Sequence, residues 1–140
     1  NTAHTRSNAL ISQIDIYASL AGLVKQPLSK NEAIDSLDMM EAFLGKTQAA
    51  RDYLLEEAVG TVALRNANWK YIQPISKNKK LPDWLDNKDI EMGFEATAQL
   101  FDLTNDIAEQ TNRAGEYPEL VEKLEYKTQE LIKKGFRYAD

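Results

Sequence analysis

The chain contains no cysteine, which excludes disulfides, thiolate nucleophiles and thiolate metal sites outright. It has a single histidine, His4, in the N-terminal tail. A Ser-His-Asp triad needs a base held in place, and an imidazole zinc site needs at least two histidines, so neither is available. No apolar run is long enough to cross a bilayer. The opening NTAHTRSNAL lacks a basic start followed by an apolar block, so it does not read as a signal peptide. In a longer protein, any export signal would lie upstream. Basic residues are in the minority, 17 against 22 acidic, for a net charge of −5. A nucleic-acid binder needs a basic face to release counterions from phosphates, so this balance argues against that class. There is no internal repeat and no low-complexity segment.

What is present suffices for one domain, or one domain with part of another. A chain of 140 residues buries roughly two-thirds of the surface its unfolded form exposes, enough for a core. Residues 12–22, SQIDIYASLAG, read as a short amphipathic helix. Ser12 is the expected N-cap, Asp15 sits in the first turn, and Gly22 suits the left-handed position after the last. Ile14, Tyr17, Leu20 and Ala21 recur at helical spacing. Residues 23–50 form a connector with one small helix near Leu37 to Leu44.

From Tyr53 the period changes to two. Tyr53–Ala58, Thr61–Arg65 and Asn68–Gln73 are strand candidates, rich in β-branched and aromatic residues. Gly60 punctuates the first pair, and Asn66-Ala67-Asn68 closes a hairpin in which an Asn is expected to take positive φ. Val62 and Leu64 share one face and Trp69 and Tyr71 another, and the four are the expected seam against a covering helix. Pro74 stops the third strand, and residues 75–95 form a long polar loop. A fourth strand, Ala98 to Leu103, leads into a sharp turn. There Asp106 and Glu109 have capping-box spacing for a single helical turn ending near Asn112. The last element runs from Pro118, suited to the first helical position, to Gly135. Leu120, Val121, Leu124, Leu131 and Ile132 form its apolar stripe. The pattern is α+β: a small antiparallel sheet of about four strands, covered by a long C-terminal helix, with an extra N-terminal helix.

Two stretches, read together and in order, carry a resemblance. Ala63-Leu64-Arg65 with Trp69-Lys70, followed by Leu100-Phe101-Asp102-Leu103, Asp106, Glu109 and Asn112, resemble the closing segment of arylsulfatase-type sulfatases. Those proteins commonly end with an "ALR-x-G-x-WK" strand pair, an "LYDL-x-x-DP-x-E-x-x-N" turn and a long helix. Ser12, Asp15, Ser19, Ala21 and Gly22 follow the family's "S-x-x-D-x-x-x-T-x-L-x-x-A-G" helix, which packs on the large sheet of the catalytic domain. Asp35-Ser36-Leu37 and Leu44-Gly45 are similar to its "DG-x-S-L-x-x-L-L-x-G" segment. Ala67 replaces the usual hairpin Gly and Ile107 the usual Pro, changes that bear on turn rigidity more than on fold.

The resemblance implies that residues 1–50 close the catalytic α/β domain and residues 51–140 form a C-terminal subdomain. It implies a parent enzyme that hydrolyses sulfate esters, of aryl sulfates or sulfated carbohydrates, with calcium and a formylglycine made from Cys or Ser in "C/S-x-P-x-R". The four prolines are Pro27, Pro74, Pro82 and Pro118, and none has Cys or Ser two residues before it. No catalytic residue, metal site or cofactor is therefore expected in this chain, which alone should be inert. Its implied partner is the catalytic domain of the same polypeptide, which it braces and whose substrate pocket it walls on one side. No nucleic acid or membrane partner is expected. The family suggests a periplasmic or secreted enzyme.

Candidate ligand contacts gather in the 75–95 loop. Lys77, Lys79 and Lys80 form the only basic run, placed to reach an anionic, sulfated substrate; the plainer reading is a charged, solvated loop tip. Trp84 is placed to stack on a sugar, whereas Trp69 reads as sheet core. Asp83, Asp86, Asn87 and Asp89 fail the EF-hand spacing. Asp102, Asp106 and Glu109 read as turn and cap residues, with Arg65 placed to bridge to them. The rival readings are a free-standing binding module for an anionic or sugar ligand, and an interaction domain whose stripe Ile14, Tyr17, Leu20 pairs with a second copy.

Overall fold

The computed structural model describes residues 7–48, 50–58, 60–76 and 93–135. The chain divides into two compact units, Asn1–Leu54 with Leu131–Asp140, and Leu55–Glu130.

The second unit is built on a four-stranded sheet in the order β1 (Leu54–Ala58), β2 (Thr61–Arg65), β3 (Trp69–Ile72), β4 (Gln99–Asp102). Short turns join β1, β2 and β3 as sequence neighbours, and β4 pairs antiparallel with β3 across the longer connection of residues 73–98. Leu64 pairs with Tyr71, which pairs with Leu100; Ala63 pairs with Ile72, which pairs with Gln99. That register places Val62, Leu64, Trp69, Tyr71 and Leu100 on one face. Leu64, Tyr71 and Leu100 are fully buried there. The helix α3 (Pro118–Lys133) covers this face with Leu124 and Thr128. Tyr117, just before it, packs on Trp69 with ring centroids 5.1 Å apart. The expected four-residue seam is thus a single continuous surface. On the opposite face Ala63, Ile72, Phe101 and Leu103 form a second buried cluster.

The strands fall within a residue of their expected bounds, but their turns are made differently. Asn66 does not have positive φ. Its side-chain oxygen accepts the N–H groups of Asn68 and Trp69 at 2.9 and 2.8 Å, an Asx turn that closes the hairpin without a glycine. Residues 106–112 form no helical turn. Glu109 takes φ 56° and sends its carboxylate to Lys70, while Asp106 accepts from the Thr111 N–H at 2.8 Å. The capping box fails because both its acids have stronger engagements elsewhere.

The first unit contains α1 (Asp15–Leu23) and α2 (Met40–Phe43). Ser12 does not cap α1. Instead its N–H donates to the Asp15 carboxylate at 2.8 Å, and Ile14 occupies the cap position with no side-chain bond. The helix ends in a Schellman pair, Gln26 N–H to Ala21 carbonyl and Lys25 N–H to Gly22 carbonyl. Lys25, at φ 57°, takes the left-handed position expected of Gly22. Gly22 lies inside the helix for a different reason: a Cβ there would stand 2.2 Å from the Asp38 carboxylate.

Candidate functional site

The residues of α1 that face inward are Asp15, Ala18 and Ser19. Asp15 is the helix's only charged residue, and it is entirely buried. Arg51 meets it with both side chains sealed from solvent, at 1% and 0% exposure. Its Nε donates to the two Asp15 oxygens at 3.1 and 2.9 Å, and a terminal nitrogen donates to the Asp35 carbonyl. Asp15 also accepts the Leu37 N–H at 3.0 Å. Ser19 Oγ accepts the Met39 N–H, and Ser36 Oγ accepts the Ala18 N–H, at 2.8 and 2.9 Å. Burial alone would push the Asp15 carboxyl up. The guanidinium of Arg51 and the two backbone N–H donors outweigh it and hold the carboxyl below its ordinary value.

This polar network fixes the rotation of α1. With Asp15 and Ser19 turned inward, the apolar stripe turns out: Ile14, Tyr17 and Leu20 are 45, 56 and 51% exposed. Leu23, Val24, Phe43 and Leu44 of the same unit are exposed as well. The outward face of α1 is therefore apolar and uncharged.

In the second unit the turn after β4 is held by charges. Lys70 Nζ grips both oxygens of Glu109 at 2.9 and 2.8 Å. Asp102 accepts from Asn105 at 2.8 Å, from the Thr104 N–H and from Arg113. These contacts, led by Asn105, hold its carboxyl below the ordinary value. Asn112 accepts the Leu100 N–H at 3.0 Å, so the turn pins the edge of β4. The bridge expected of Arg65 is made by Lys70 and Arg113 instead. Lys70, on the strand next to β4, and Arg113 reach the turn, whereas Arg65 lies one strand farther away on β2.

Beside Lys70 lies a cleft of about 160 Å³, lined by Glu56, Glu57, Glu109, Thr61 and the apolar floor of Ala63 and Ile72. Three carboxylates surround one ammonium that is already paired, so this cleft repels a sulfate group rather than holding it. Among the described residues no group of three His, Cys, Asp or Glu is arranged to hold a metal ion. None of the four prolines has Cys or Ser two residues before it, so the chain carries no formylglycine precursor motif. Lys77, Lys79, Lys80 and Trp84 lie outside the described residues, as do Asp83, Asp86, Asn87, Asp89 and His4. No helix among the described residues is long and apolar enough to cross a membrane.

The second unit is an α+β layer that ends in a long helix, and the first carries a helix whose exposed side is apolar. No family model matches the chain. It is 39% identical over 120 residues to an N-acetylgalactosamine-6-O-sulfatase of Bacteroides thetaiotaomicron, a match covering 85% of this chain and 23% of that protein. A solved Bacteroides thetaiotaomicron chain, described in connection with the metabolism of multiple glycosaminoglycans, is 36% identical with a TM-score of 0.73. That match covers 88% of this chain and 25% of the other. A 2-O GAG sulfatase at 15% identity shares the fold, with a TM-score of 0.65 over 93% of this chain and 27% of its own. The chain belongs to the sulfatase family and corresponds to the C-terminal region of its members. It spans about a quarter of the length of the relatives it matches.

Proposed function

We propose that the chain is the closing part of an enzyme that hydrolyses sulfate esters on sulfated carbohydrates, with 6-O-sulfated N-acetylgalactosamine units of glycosaminoglycans as the first substrate class to test. The observation that carries this reading is the 39% identity over 120 residues to an N-acetylgalactosamine-6-O-sulfatase. In this reading residues 1–50 close the catalytic domain, 51–140 form the C-terminal subdomain, and calcium and formylglycine belong to the part upstream. The outward stripe of α1 docks on that catalytic part. Left uncovered, it pairs with a second copy. Trp84, Lys77, Lys79 and Lys80 line one side of the substrate pocket, and the enzyme works in the periplasm or outside the cell.

The test is to read the coding frame upstream of Asn1 and express the whole. A frame bearing Cys or Ser two residues before a proline, whose product releases sulfate from 6-O-sulfated N-acetylgalactosamine, supports the reading. A frame that begins at Asn1, or an isolated chain that itself turns over an aryl sulfate, overturns it.

A further inference from the structure

We draw no further inference here: the strongest candidate, the cleft beside Lys70 with its rim of Glu56, Glu57 and Glu109 over Ala63 and Ile72, rests on an acidic cluster alone, and nothing in the structure shows which cation it would take.

Discussion

Arg51 and Asp15, 36 positions apart in the chain, form a fully buried ion pair that joins the start of α1 to the approach to β1. Removing one partner of such a pair strands the other charge in a low-dielectric site, which costs about 3–5 kcal/mol. Arg51→Ala and Asp15→Ala should each destabilise by about that much, with the double variant costing less than the sum. Denaturant unfolding of the four chains measures this, and additive losses would refute the coupling.

The same pair sets an acid dependence. The folded carboxyl of Asp15 lies below its ordinary value of 3.8. Its contribution is therefore complete above that value and is lost as pH falls through the folded one. The Tm of the wild type should fall below about pH 4. In Asp15→Asn the Tm should be lower at neutral pH and flatter on acidification. Parallel Tm curves for the two chains would remove Asp15 from the acid transition.

Gly22 and Asp38 make a second pair whose sign can be decided. Alanine in a helix interior gains about 1 kcal/mol over glycine. Here its Cβ would meet the Asp38 carboxylate at 2.2 Å, and moving that side chain breaks its bond to the Met40 N–H at 3.0 Å. Gly22→Ala alone should therefore be neutral or destabilising. In an Asp38→Ala background the same change should stabilise by about 1 kcal/mol. A stabilising Gly22→Ala in both backgrounds would show that the close approach carries no cost.

The elements were legible where their signals are local. Alternation in Thr61–Arg65 and Trp69–Ile72, the Pro118 start and the Gly135 stop need only neighbours in sequence, and the structure agrees with them. The orientation of α1 was not legible in that way. Its periodicity identifies Ile14, Tyr17 and Leu20 as a stripe, but the partners that turn Asp15 and Ser19 inward come from Leu37, Met39 and Arg51. No local pattern announces them. The same holds for the turn: Asp106 and Glu109 have capping spacing, yet Lys70 and the Thr111 N–H claim them first. Arg65 was legible as a charged strand end, but that its Nε is sealed from solvent is a tertiary fact.

Tyr71 bears on the alkaline side. Burial, aided by the Glu125 charge, pushes its hydroxyl up to about 12, and that hydroxyl has no hydrogen-bond partner. A raised folded value means stability that is complete below the unfolded value and lost as pH rises through the folded one. Tyr71→Phe should be neutral or stabilising by about 1 kcal/mol at neutral pH, and should blunt the loss of stability between about pH 10 and 12. A variant that loses several kcal/mol at neutral pH would mean the hydroxyl is bonded after all.

The exposed stripe of α1 offers a test of the docking proposed for it. Tyr17 and Leu20 are more than half exposed, and substitutions at exposed positions free of special contacts usually change stability by less than about 0.5 kcal/mol. Tyr17→Glu with Leu20→Glu should thus leave the unfolding of the isolated chain nearly unchanged and shift it toward monomer in sedimentation. In the longer polypeptide the same pair would bury two carboxylates against an apolar surface, an unpaired burial that costs several kcal/mol. There it should lower yield and Tm sharply. A polypeptide that tolerates both glutamates without loss would leave the stripe in water, and α1 would need another reason for turning its polar side inward.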